Sequence, residues 1–272
     1  MSGIRTMKQI VLAVLIGLSL VVVPAWAQDN PGNLGNPGIV PPQASFGGQT
    51  YSEWVASLFQ WVFSIPFTNH PLFDAADCVV GQPTGCSIGQ SGNVWFLDGR
   101  LGSGGIVNRC CTIPAGTALF LMITGSEFDN ANCHNPHTVE LTSFTEDELR
   151  DFAADSVDSL LSGGTDGTSG RGQCVIDGRP VENLPGPSPS TLTSPYRVQS
   201  PVFDYTLPAF DNLDVLIDGA CYQNPPAQYL TVEGAVADGL FVLIKPLPVG
   251  VHHIDFGINL SRHYTIHVIP SP

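Results

Sequence analysis

From residue 90 onward the chain is a succession of short apolar runs, each four to eight residues long and each closed by glycine, proline, asparagine or a charged turn. The clearest are Asn93–Asp98, Thr117–Thr124, Thr138–Leu141, Val202–Leu207, Leu213–Ile217, Gly239–Lys245, Val251–Ile258 and His263–Ile269. Runs of this length, rich in β-branched and aromatic residues and punctuated by turn formers, predict strands rather than helices. The spacing therefore predicts a mainly β chain, with residues 49–272 forming a single β-sandwich of jelly-roll or Ig-like type.

Two segments break the pattern and read as accessory helices. In YSEWVASLFQWVFS, residues 51–64, Trp54, Leu58 and Trp61 fall on one stripe, and Tyr51, Val55, Phe59, Val62 and Phe63 widen it beyond half the circumference. Thr50 and Glu53 have capping-box spacing, and Pro66 ends the segment. A membrane-surface helix carries a broad cationic face, and this one has no lysine or arginine. Exposed as a ligand platform, it would leave a large apolar patch in water. It is expected to be a core helix. The second helix, near 146–161, opens with Thr145 and Glu148 in the same spacing and lines up Leu149, Phe152, Ala153, Val157, Leu160 and Leu161.

Residues 1–27 have the form of a secretory signal peptide: Arg5 and Lys8, an apolar run from Ile10 to Val23, and Ala25-Trp26-Ala27 before Gln28. That run is too short for a comfortable membrane span. The expected product is secreted or periplasmic and not inserted in a membrane. Loss of Arg5 and Lys8 leaves 8 basic residues against 24 acidic ones, a net charge near −16. Such a surface repels nucleic-acid phosphates and anionic lipids. Residues 28–48, rich in proline, glycine and asparagine, read as a flexible or extended arm. Ser162–Gln173 and Leu184–Pro195 read as surface loops.

Seven cysteines follow the leader: Cys78, Cys86, Cys110, Cys111, Cys133, Cys174 and Cys221. In an oxidising compartment they are expected to pair, and the odd count leaves one thiol over, with burial its expected fate. Six paired cysteines allow about 15 connectivities, and the residues alone do not choose among them. There is no C-x-x-C motif.

Motifs of nucleophilic, phosphate-binding or zinc-hydrolase chemistry are missing: no G-x-S-x-G, H-E-x-x-H, P-loop or dinucleotide fingerprint occurs. GQSGN, residues 89–93, reads as a turn entering a strand. The histidines carry the remaining chemistry. Alternation in VHHIDFGI puts His252, Ile254 and Phe256 on one side and His253 and Asp255 on the other. In HYTIHVI the outward set is His263, Thr265 and His267. Paired as a hairpin, the two strands would place His253 opposite His267 and Asp255 opposite Thr265. His253, Asp255 and His267 are thus a candidate divalent-metal or pH-responsive face, and His252 a hydrogen-bonded core residue. A second candidate is Asp129, His134 and His137, in what reads as a polar loop anchored by Cys133. Glu146, Asp147 and Glu148 need only the helix dipole to explain them. No cofactor is predicted beyond that possible metal, and no pair of carboxylates stands out as a glycosidase pair.

Four blocks, SEWVASLFQWVFSIPFTNHPLFDAADC, GQSGNVWFLDG, CTIPAGTALF and DGLFVLIKPLPVGVHHIDFGI, resemble in kind and order those of a group of uncharacterised secreted bacterial proteins. The resemblance covers most of the chain after the leader and implies no activity. It implies that His252 is the group's shared histidine and that Cys86 and Cys111 form a disulfide. Cys78 and Cys110 depart from that pattern and could form a second bridge nearby. The function expected from these features is a non-catalytic binding or structural module at the cell exterior, with a glycan or cell-surface partner. The alternative is a glycan-active or metal-assisted hydrolase.

Overall fold

A computed structural model describes residues 36, 38–73, 85–97, 106–135, 138–141, 144–162, 172–184, 194–217 and 230–271. The proposed leader, Cys78, Cys221, His137 and most of the two predicted loops lie outside them. Helix α1 (Tyr51–Ser64) precedes the strands β1 (Val94–Leu97), β2 (Val107–Pro114), β3 (Ala118–Phe128), β4 (Ala131–Asn135) and β5 (Thr138–Leu141). After α2 (Glu146–Ser162) come β6 (Gly172–Ile176), β7 (Arg179–Pro180), β8 (Arg197–Gln199) and β9 (Phe203–Thr206). The short α3 (Asp214–Ile217) is followed by β10 (Thr231–Ile244), β11 (Gly250–Ile258) and β12 (Arg262–Ile269).

The chain is mainly β, built on two five-stranded sheets and a two-stranded pair, β4–β5. The first sheet runs β1-β3-β10-β8, with β9 also on β10, and the second runs β2-β12-β11-β6-β7. Both are mixed, since β1 is parallel to β3 and β2 is parallel to β12. At those two edges, connections that cross between the sheets bring the strands in side by side. Strands β3 and β10 are buried along most of their length, because layers cover both of their faces. Where β6 meets the first sheet, Gly172 leaves no room for a side chain: a Cβ there would lie 2.7 Å from Leu240 and 3.4 Å from Ile123.

Both predicted helices form with both capping boxes: Thr50 and Glu53 close the first reciprocally, Thr145 and Glu148 the second. In α1 the buried set is Tyr51, Trp54, Val55, Ala56, Leu58, Phe59, Trp61, Val62 and Phe63, leaving Glu53 and Gln60 on the wet edge. Tyr51 meets Phe120 edge-on and Phe63 stacks on Tyr205 at 4.1 Å. In α2 only Leu149, Ala153, Val157 and Leu161 are buried, while Phe152 and Leu160 face outward.

Several expectations are corrected. Leu213–Ile217 is a turn of helix, initiated by Asn212, whose side chain accepts from the Val215 N–H. The DNANCHNPH segment contributes a strand to the β4–β5 pair instead of a loop. Strand β2 was hidden by Arg109, a cation at an inward position, and the first half of β10, before the expected Gly239–Lys245 run, by Glu233 and Gly234, which interrupt its apolar run at an irregularity in the pairing. Within the 28–48 arm, which reads as flexible or extended, Gly38–Val40 is extended and docked on β10. Ile39 pairs with Ile244, Val40 donates to Leu243 O and Lys245 donates to Gly38 O.

The GQSG turn is structural, as its composition suggested. Gln90 bonds both backbone groups of Phe96, donating to its carbonyl at 2.7 Å and accepting from its N–H at 2.9 Å, so it occupies the open edge of β1. Gly89 takes φ +69° and sits so close to α1 that a Cβ would lie 2.5 Å from Ile65 and 2.9 Å from Trp61 Nε1.

Candidate functional site

The second sheet positions the histidines through the β11–β12 hairpin. Asn259 and Leu260 take left-handed φ of +53°, and Ser261 N–H donates to Ile258 O, closing the turn. The resulting register pairs His253 with Thr265, Asp255 with His263 and Val251 with His267. This corrects the expected pairing of His253 with His267 and Asp255 with Thr265: the turn closes earlier, so each residue meets a partner two positions back. An even slip keeps every side chain on its face. His253, Asp255, His263, Thr265 and His267 therefore do share the outward side.

On that face Asp255 and His263 form the one close pair, Nδ1 to Oδ1 2.6 Å, both half-exposed. His253 lies 3.5 Å from the Thr265 hydroxyl, and His267 sits between Val251 and Thr112. No group of three ligating side chains converges among the described residues. The expected set of His253, Asp255 and His267 is therefore spread along the face, with Asp255 engaged by His263.

His252 points with Ile254 and Phe256, as alternation requires, but at the rim of the core. Its Nδ1 is 2.7 Å from Asp177 Oδ2 and its Nε2 2.9 Å from Pro248 O. Partial burial works to raise the Asp177 carboxyl, but hydrogen bonds from His252 and the His253 N–H outweigh it and hold the group below its ordinary value.

The second candidate divides. Asp129 accepts from Ala131 N–H at 2.6 Å and from the Tyr205 hydroxyl at 2.5 Å. Burial pushes this carboxyl up despite those bonds and one from Glu127. Burial and the charges of Glu127, Asp214 and Asp129 raise Tyr205 well above the phenol range. This pair ties β9 to the end of β3. His134 lies on β4 with its side chain outside the described set, and His137 is outside it entirely.

The disulfide implied by the resemblance is present: Cys86 is bonded to Cys111, with Cα atoms 5.6 Å apart. Cys110 is disulfide-bonded as well. Among the described residues the free thiol is Cys174, fully buried on β6, where burial and the nearby Asp255 push it up to about 12. Such a thiol is inert, in keeping with the expected fate of the odd cysteine. Cys78, Cys221 and the side chain of Cys133 lie outside the described residues.

Two buried polar residues went unnoticed in the sequence. Arg109 is 2% exposed and lines a small cavity with Trp61, Leu72, Gln90, Phe96 and Tyr264. His70, also 2% exposed, is fixed in one tautomer: Nε2 faces Val62 O at 2.9 Å and must donate, while Nδ1 accepts from the Leu72 N–H at 3.1 Å. Burial pushes its pKa down to about 4, aided by the Arg109 charge and opposed by the Val62 bond. Because the folded value lies below the unfolded one of about 6.5, stability is full above that pH and falls as pH drops toward 4. The total loss is on the order of 3 kcal/mol. Urea melts of the wild type and His70→Gln at stepped pH check this: the wild type should lose more stability between pH 6.5 and 4, and parallel curves would refute it.

No protein-family profile matches the chain, and no curated protein or solved structure is significantly similar to it.

Proposed function

We propose that the chain is an exported, non-catalytic binding module of the secreted group whose sequence blocks it resembles, and that it uses the outward face of the second sheet. In this reading the two sheets pack as one β-sandwich whose strands hold that face rigid. The observation that supports it most is the composition of the face: His253, Asp255, His263, Thr265, His267 and Thr112 lie side by side on three adjacent strands. Imidazole, carboxylate and hydroxyl groups on rigid strands are suited to hydrogen-bonding a polyhydroxylated ligand. The Cys86–Cys111 disulfide supports an oxidising compartment, and the leader supports export.

The ligand class that fits is a cell-surface glycan. The test is a glycan array probed with the secreted protein and with a His253→Ala/His267→Ala variant. A glycan bound by the wild type and weakened roughly tenfold or more in the variant, about 1.4 kcal/mol, is the expected result. Equal binding by a variant with an unchanged melting curve would remove the face from the proposal, and silence across the array would remove glycans from it.

A further inference from the structure

Beyond β9, which pairs with its first residues, the outer edge of β10 is filled in two pieces. Strand β8 pairs with Asp238, Gly239 and Leu240, and Phe241 N–H donates to Tyr196 O. Farther along, Gly38–Val40 continues the same line, with Val40 N–H to Leu243 O at 2.8 Å and Lys245 N–H to Gly38 O at 2.9 Å. Ile39 and Val40 are 1% and 4% exposed, so the segment seats two apolar side chains as well as main-chain bonds. Asn36 fixes its other end, donating to Glu182 O and Tyr196 Oη and accepting from Glu182 N–H at 2.6 Å. Tyr51 closes the slot: its hydroxyl donates to Val40 O at 2.6 Å and accepts from Leu243 N–H at 3.0 Å.

We propose that Gly38–Val40 is an exchangeable strand, and that two copies of this chain associate by trading it between their β10 slots. The segment meets the requirements for such a trade. Recognition is mainly through backbone, so the slot accepts the same segment from either chain in the same register. Every bond that Gly38–Val40 makes within one chain is re-formed between two, and the trade costs only the Ala44 N–H to Pro41 O bond of the hinge itself.

A hinge is also present. Pro41 and Pro42 follow directly; neither has an N–H to give to the sheet, and their rings stiffen the link. Beyond them the chain is fastened again, with Phe46 paired with Gln49 and Trp54 Nε1 donating to Phe46 O at 3.0 Å. Only residues 41–43 need to change direction. The net charge of −14 opposes the approach of two copies, so added salt favours the exchanged form.

The test is an Ile39→Cys/Ile244→Cys variant of the full chain. The flanking bonds make Ile39 and Ile244 a close, non-hydrogen-bonded pair, which suits a disulfide. Oxidised at rising concentration, it should give a covalent dimer on non-reducing gels that the wild type does not give. The dimer-to-monomer ratio should rise with concentration, up to roughly tenfold for a tenfold increase. Light scattering of the unmodified chain provides a second measurement, with a dimer that grows with protein and salt and is lost in Val40→Asp. An intrachain bridge at every concentration together with a monomeric wild type would overturn the exchange. So would a dimer that survives Val40→Asp, because its interface would then lie elsewhere.

Discussion

Trp61→Ala is expected to lower the stability of the folded chain by about 3–5 kcal/mol, the range for deleting a large buried aromatic side chain. The indole is 6% exposed, packs on Phe96 at 5.7 Å and on His70 at 5.5 Å, and donates its Nε1–H to Ile88 O at 3.2 Å. Its removal would open a void beside the cavity that already borders Arg109. It would also release the Ile88 carbonyl, which helps hold the GQSG turn against α1. Denaturant melts with the disulfides intact should show the midpoint falling while the slope is unchanged. A loss below about 1 kcal/mol would mean that the ring is not part of the core, and α1 would again be open to a ligand-platform role.

Arg197→Met is expected to cost a similar amount, about 3–5 kcal/mol, by a different mechanism. Arg197 on β8 bonds both carboxylate oxygens of Asp238 on β10, at 3.1 and 3.3 Å, and the Ala154 carbonyl on α2 at 3.2 Å, and it is paired with Asp158. The Asp238 side chain is 3% exposed. Methionine fills much of the arginine's volume but leaves that carboxylate buried with only Gln199, 3.2 Å away, as a side-chain partner. Arg197→Met/Asp238→Leu should recover most of the loss, because removing both charges also removes the uncompensated one. A double variant less stable than the single one would show that the seam between α2 and the first sheet depends on more than this charge pair.

Sequence reading succeeded where the determining interactions are local. The start of α1 needs only Thr50 and Glu53, three residues apart, and the core role of Trp54 and Trp61 follows from periodicity and the lack of a cationic face. Alternation likewise assigned the faces of β11 and β12 correctly although the register was wrong, because an even slip preserves parity. Cys86 and Cys111 were matched through the resemblance, since their 25-residue separation carries no pairing rule of its own.

The candidate site fared less well. His253, Asp255 and His267 do lie on one face, but the partner of Asp255 is His263, selected by a turn whose left-handed residues are asparagine and leucine. His252 was recognisable as an inward histidine, but its partner Asp177 is 75 residues away, at the β6–β7 turn. Arg109 and His70 read as surface residues by type, and only the layers around them make them interior.

By itself, then, the sequence determined the strand-rich composition, the two capped helices and the inward and outward parity of the C-terminal hairpin. Each depends on contacts within a few residues along the chain. The tertiary structure alone decided the hairpin register, the parallel edge strands, the docking of Gly38–Val40 on β10 and the charge network of Arg197. Those depend on which distant backbone edges and buried charges meet, and a hydrogen bond or ion pair between distant residues leaves no periodic trace in the segments that make it.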